Sequence, residues 1–487
     1  MDKITGILNT DCVRRAGRAQ IEVDCELKAD NTIVTLLGVS ADAITFTAEG
    51  LSKEASVTGR VDYKAIYLDE EGEISSLDYY TDFRTSVEVD TEASTKLFAF
   101  AKVIEVLNLS TSDTGVVLRA IVEIDIVSAS KRGVNYHECE ELCTKTVEID
   151  ESCLKDVAEG TFDIYEEYES GCGVDKILLL DTDLVLKDGK PSRGSLLVSG
   201  MAVSNLCYKS GKEIKNLTLK MPFCEELECS DVTPLDDVYL YGYVKDARVI
   251  LSGDEENTVI KVEVTVSLRV PVFETGKRTI PEDGYDCTKT VKLSIKEGES
   301  YIKTGDWNRE ERLSGTVSIP EDGESVGRIL AICSPKDNVE NVRAQQDSVM
   351  MDGTMSCIVL YEDIDGFPRS ITIELPYSVD FSMEGSEIGA ETYVRTAVCD
   401  VTAVVKRARE IEVMYVLKVY AYQCKRQKFS YIEDYVEEGA LPPALPITIY
   451  KRRAGEDLWQ IAKTLRVPLK DIQDSEGDFI VCYHQID

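Results

Sequence analysis

The chain has 487 residues, 43% of them apolar, and 89 Asp and Glu against 54 Lys and Arg give a formal charge of −35. That length supports three or four ordinary cores, while so negative a chain suits neither nucleic acid nor an anionic lipid surface, since both require phosphate neutralisation by clustered cations. With two histidines, His137 and His484, a Ser-His-Asp relay or a multi-histidine metal site has almost no parts.

Fifteen cysteines, an odd number with no Cys-x-x-Cys pair, suit reduced thiols better than a disulfide framework. No apolar run approaches the 18 residues of a membrane span, and no N-terminal apolar export segment is visible. A soluble, cytoplasmic protein is expected.

In chain order, residues 1–18 read as a loose polar leader with a small basic group, Arg14, Arg15 and Arg18. Strand signals begin near Gln20. A glycine followed eight positions later by a tyrosine then occurs three times, as Gly59 and Tyr67, Gly200 and Tyr208, and Gly353 and Tyr361. The residues between are β-branched, aliphatic and aromatic with partial alternation, as in a half-buried strand, and a polar turn follows each copy. Further matches follow at fixed offsets: Leu77 to Phe83, Leu217 to Phe223 and Ile371 to Tyr377, then Val87, Leu227 and Phe381. The copies lie too far apart for a solenoid unit, so each reads as a domain. The glycines are read as bulges or points of close backbone packing, and the tyrosines as aromatics at the edge of a core.

The predicted fold is therefore mainly β, with three tandem antiparallel sandwich- or barrel-like domains over residues 19–155, 156–305 and 306–430. Residues 150–160 and 296–311 are expected to be hinges. Cys143–Ile149 and Cys287–Leu293, both reading Cys-Thr-Lys-Thr-Val, are expected to be a closing strand of each domain. His137, Cys139, Cys143 and Cys153 form a metal-like grouping, but their spacing is not that of a closed zinc site. No Gly-x4-Gly-Lys-Ser/Thr loop exists. The reading is a non-enzymatic protein with no catalytic residue, metal or cofactor.

Ser430–Gly439 reads as a short acidic helix and Ala440–Pro446 as a stiff spacer, so residues 431–446 form a linker. Residues 447–487 change style. Ile447–Tyr450 reads as a strand, Leu458–Leu465 as a helix with Leu458, Ile461, Ala462 and Leu465 on one face, Pro468–Gln473 as a second short helix, and Phe479–Tyr483 as a closing strand. Trp459 is read as packing in the core of this unit. Lys451, Arg452 and Arg453 make a local positive patch on an acidic chain, a candidate docking face.

Gly455-Glu456-Asp457-Leu458-Trp459-Gln460-Ile461-Ala462 resembles the Gly-Asp-Thr-Leu-Trp-x-Ile-Ala opening of LysM modules, small βααβ domains. After residue 473 the chain departs from that pattern, with an acidic run in place of the usual Asn-rich segment and Pro-Gly turn. The three repeats resemble the SPOCS domain of endospore-forming Firmicutes, through the glycine, the tyrosine with its following turn, and the aliphatic Ile177-Leu178-Leu179 and Ile329-Leu330. Three such repeats and one LysM-like tail is the layout of a family of clostridial spore-coat morphogenetic proteins. The resemblance implies a coat-assembly scaffold in the mother-cell cytoplasm, at the forespore surface or spore coat. Its tail would dock onto the coat-basement ATPase and its repeats would contact other coat proteins. Lys451, Arg452, Arg453, Gly455, Glu456, Asp457 and Trp459 are the expected partner-binding residues. In LysM families the loops after the first strand and before the last form a sugar groove, so the alternative is binding of peptidoglycan or another N-acetylglucosamine polymer at the cell wall or spore cortex.

Overall fold

A computed structural model describes residues 5–51, 53–90, 95–253, 257–320, 323–442, 447–453, 455–474 and 479–483. The chain is almost entirely β. Its first part contains β1 (Thr5–Asn9), β2 (Cys12–Lys28), β3 (Ile33–Leu51), β4 (Glu54–Asp69), β5 (Ile74–Glu88), β6 (Thr95–Ser112), β7 (Gly115–Ser130) and β8 (Gly133–His137). Strands β3, β4 and β5 form one antiparallel sheet, and β2, β7 and β6 another. Alternate residues of the two central strands face each other: Val57, Val61 and Tyr63 of β4 pack with Leu118, Val122 and Ile124 of β7 in one core. This period of two is what a sandwich requires.

The same connections recur twice. Strands β9 (Cys143–Glu169), β10 (Lys176–Pro191), β11 (Ser195–Ser210), β12 (Glu213–Glu228), β13 (Asp237–Val238), β14 (Tyr241–Gly253) and β15 (Thr258–Tyr285) give sheets β10-β11-β12 and β9-β15-β14, with the short β13 also on β15. Strands β16 (Lys289–Ser318), β17 (Val326–Gln345), β18 (Ser348–Asp363), β19 (Pro368–Ser382), β20 (Glu391–Arg407) and β21 (Glu410–Ala440) give β17-β18-β19 and β16-β21-β20. The tail holds β22 (Ile447–Lys451), α1 (Leu458–Leu465), β23 (Ile472–Asp474) and β24 (Phe479–Tyr483).

The repeated glycine has a structural reason in every copy. Gly59, Gly200 and Gly353 lie opposite Phe83, Phe223 and Tyr377 on the neighbouring strand. On the other side, the partner strand bulges just past Thr45, Leu186 and Val339, the residues paired with those glycines. A Cβ on Gly200 would stand 2.5 Å from the Phe223 ring and 2.7 Å from the Val185 carbonyl oxygen; on Gly353, 2.5 Å from the Tyr377 hydroxyl and 2.7 Å from the Asn338 carbonyl oxygen. The bulge presses a carbonyl toward the central strand, glycine leaves it room, and the cross-strand ring covers the bare backbone. Tyr67, Tyr208 and Tyr361 are buried at the far end of the same strands.

A second bulge falls opposite those tyrosines, between Leu36 and Gly38, Ile177 and Leu179, and Ile329 and Ala331. It leaves Leu37, Leu178 and Leu330 out of register. All three meet in a single apolar cluster with Ile66, Cys207 and Leu360. Because corresponding positions of three sandwiches converge on one point, the units close into a ring about an approximate threefold axis. Polar contacts join every neighbouring pair. Lys64 of the first sandwich reaches Asp181 of the second at 3.1 Å. The Asn216 side chain of the second pairs with the Ile332 backbone of the third at 2.5 and 2.9 Å. Lys336 of the third reaches Asp42 of the first at 2.7 Å.

Several expectations are corrected. The supposed leader contains β1, paired with β8, and the start of β2. Residues 150–160 lie inside β9, paired along β15, and residues 296–311 lie inside β16, paired along β21. The expected boundaries at 155, 305 and 430 therefore fall within strands. Ser430–Gly439 is no helix but the end of β21. Cys143–Ile149 opens β9, and Lys289 within the matching Cys287–Leu293 segment opens β16, so these segments begin the second and third strand sets. Residues 443–446 of the spacer lie outside the described ones.

The physical reason is common to all of these. The long strands run past the sandwiches as two-stranded ribbons, held partly by opposite charges across the pair, such as Arg278 with Glu151 at 2.8 Å and Lys296 with Glu433 at 2.6 Å. Such a ribbon has the charge-rich composition of a linker. Limited proteolysis of the native protein should accordingly spare residues 150–160 and 296–311; early cuts there would contradict the pairing. Gly200→Ala should lower stability by about 1–3 kcal/mol in urea unfolding, the usual range for overpacking.

Candidate functional site

The tail is built on the antiparallel order β22-β24-β23. Asp457 caps α1, its carboxylate accepting from the Gln460 backbone N–H at 2.7 Å. Ile461, Val467 and Ile480 form its core, with Tyr450, Leu458, Leu465 and Ile472 packed around them. The apolar helical face expected from sequence is thus the inward one. A 3-10 turn at Leu469–Asp471, followed by β23, stands where a second short helix is expected.

Trp459 is not in that core, which corrects the expectation. It lies on another face of α1 and anchors the tail to the end of β15. Its indole Nε1 donates to Asp283 at 2.9 Å, and its ring centroid is 5.2 Å from that of Tyr285. Lys463, one turn along, donates to the same carboxylate at 2.6 Å, and the Tyr285 hydroxyl donates to the Val467 carbonyl at 2.6 Å. Asp283 is placed for this by an irregularity between Pro281 and Asp283 in the β15–β9 ladder, since a bulge re-aims the side chain beside it. Burial pushes the Asp283 carboxyl up, but hydrogen bonds from Lys463 and Trp459 outweigh it and hold the group below the usual carboxylate range. Neither Asp283 nor Tyr285 is distinguishable in the sequence, where Pro281-Glu282-Asp283-Gly284 looks like an ordinary polar turn.

Of the other expected partner-binding residues, three serve the loop between β22 and α1. Gly455 has φ +87°, a left-handed conformation that glycine adopts without strain. Glu456 points inward, accepting from the Tyr450 hydroxyl at 3.0 Å and the Arg453 backbone N–H at 2.9 Å. Asp457 is the helix cap. Lys451, Arg452 and Arg453 are exposed, forming a cationic corner one loop away from the anchored helix face. Residues 475–478, which precede β24, lie outside the described ones.

The metal-like grouping does not assemble. His137 Nδ1 accepts from the Cys139 backbone N–H at 3.0 Å, its ring packs edge-on to Tyr435 with centroids 4.9 Å apart, and no group of three or more metal-ligating side chains exists among the described residues. His484 lies outside them. Cys143 and Cys287, at matching positions of the repeated segment, have sulfurs 3.8 Å apart. Burial and the neighbouring Cys143 push the Cys287 thiol up to about 12, so it stays protonated at neutral pH. All fourteen cysteines whose side chains are described are free. No helix among the described residues is long and apolar enough to cross a membrane.

Asp283→Ala should loosen the tail by about 1 kcal/mol, the scale of one hydrogen-bonded pair near solvent, and speed amide hydrogen exchange over Leu458–Leu465. Because the folded carboxyl titrates below its ordinary value of 3.8, its contribution is complete above that value and disappears as pH falls through the lowered one. Trp459 fluorescence in a Trp307→Phe background, followed from pH 6 to pH 2, reads this directly.

No protein-family model, no curated protein and no solved structure matches this chain.

Proposed function

We propose that this chain is a non-enzymatic scaffold of spore-coat assembly, working in the mother-cell cytoplasm at the forespore surface. Its LysM-like tail captures the coat-basement ATPase, and its three sandwich domains face other coat proteins. The motif resemblances in the tail and in the three repeats support this reading. The observation that carries it is the placement of Lys451, Arg452 and Arg453, three adjacent exposed cations on a chain of charge −35. Trp459 and Lys463 hold one face of the tail against β15, and this corner lies outside that contact, open to solvent. Complementary charge at such a corner acts chiefly on the rate of capture and on partner choice.

The second reading, binding of peptidoglycan or another N-acetylglucosamine polymer, draws support from the β22–α1 loop. This wall of the LysM sugar groove is fixed internally by Glu456. The two readings separate in one experiment on the full chain, with affinity for the coat-basement ATPase measured beside pelleting with purified peptidoglycan. Replacing Lys451, Arg452 and Arg453 by Gln should leave the thermal midpoint unchanged and weaken capture about tenfold at low salt. The difference should shrink above 0.15 M salt, where the screening length falls below about 8 Å. A chain that pellets with glycan and ignores the ATPase would replace the first reading with the second.

A further inference from the structure

Past the apolar cluster that closes the ring, the three sandwiches border an open cavity of about 1350 Å³ lined by residues of all three. Small-molecule sites usually measure about 300–1,000 Å³, so the space holds one such ligand together with water. Its inner end is neutralised: Lys64 reaches Asp181 and Asp42, and Lys336 reaches Asp42. Much of the wall is balanced in the same way, with Asp125 beside Arg15 and Arg18, and Arg60 beside Asp62.

Arg395 is not paired in this way. Outward-facing positions of β6, β14 and β20, which correspond in the three sandwiches, supply Phe100, Tyr241 and Arg395. These residues pair with Asp125, Arg269 and Tyr420 on the adjoining central strands. The Arg395 guanidinium lies over the Phe100 ring, 4.2 Å from its centroid, and Phe100 is stacked with Tyr241 at 5.5 Å. Its side chain has no hydrogen bond or ion pair with any described residue, although a guanidinium presents five N–H donors. Burial pushes its pKa down from the ordinary value, and the carboxylate that acts on it, Asp125, is already shared by Arg15 and Arg18. Lys102, two residues beyond Phe100 on β6, lines the same cavity and reaches one neutral acceptor, the Asn338 side-chain oxygen, at 3.2 Å. Of the carboxyl groups nearest Lys102, Asp337 is already bonded by Tyr377 at 2.8 Å and Thr396 at 2.5 Å. Burial raises a second, Asp183, to about 7, and the third, Glu123, directly across the β6–β7 ladder from Lys102, is taken by Arg18. Two cations with no ion pair to a described carboxylate, flanked by aromatic faces in a chamber where most other cations are paired, make a receptor for negative charge on a flat or apolar body.

We propose that the central cavity binds a small oxyanion-bearing molecule, its phosphate or carboxylate group held by Arg395 and Lys102 and its body lying against Phe100 and Tyr241. The site is remote from the tail in the chain and independent of what the tail recognises. Calorimetric titration of the full chain with inorganic phosphate in one arm and benzoate in another tests it and identifies the preferred head group. At least one anion should bind with 1:1 stoichiometry. Arg395→Gln should weaken it tenfold or more, Lys102→Met severalfold, and replacement of Lys451, Arg452 and Arg453 by Gln not at all. Arg395→Lys, which keeps the charge, should retain part of the affinity and serves as the measurement if the Gln variant fails to fold. No binding of either anion at millimolar concentration would overturn the proposal, and so would binding that Arg395 and Lys102 variants leave unchanged.

Discussion

Three leucine side chains pushed out of register hold this molecule together. Leu37, Leu178 and Leu330 leave their sheets at three matching bulges and converge with Ile66, Cys207 and Leu360. Each bulge forfeits regular ladder pairing, and burying a leucine side chain returns roughly 1.5–3 kcal/mol. Without that convergence each sandwich would present an apolar edge to water. With it, the strands behind the plug are brought close enough for Lys64, Asp42, Asp181 and Lys336 to pair across the sandwiches. The cavity is what remains where the ring widens beyond this polar layer, so its position follows from the same three bulges.

The sequence shows best what one strand can encode by itself. A glycine, a tyrosine eight positions on, and an aromatic on the following strand recur at fixed offsets because each sandwich needs the same bulge, the same gap and the same ring to fill it. What the sequence hides are features that depend on a distant partner. The ribbons formed by β9 with β15 and β16 with β21 are paired residue by residue, yet their charged, half-exposed faces read as hinges, and Ser430–Gly439 reads as an acidic helix. The mainly β class was legible, and so were α1 and β24 of the tail, whose bounds match the sequence reading, but the ends of the long paired strands were not.

The candidate site divides in the same way. Lys451, Arg452 and Arg453 are exposed, as a cationic run on an acidic chain suggests, and Leu458, Ile461 and Leu465 face the core of the tail. The role of Trp459 was not legible, because its partners Asp283 and Tyr285 belong to β15. One short helix has two occupied faces, and a single apolar stripe reveals one of them. Arg395 was hidden for a related reason: an outward-facing charge on a strand looks solvated until three sandwiches are placed around it.

The plug also imposes an order on the birth of the protein. The first sandwich has all its strands by Ser130, but Leu330 and Leu360 emerge from the ribosome 200 and 230 residues later, roughly 10–50 s at ordinary elongation rates. During that interval Leu37, Ile66 and then Leu178 stand on completed sheets with nothing to cover them. The nascent chain therefore carries a temporary sticky edge that its own last third is made to occupy. Two chains growing side by side on one messenger could each fill the other's vacancy, so ring closure within a single chain is a race between synthesis and encounter.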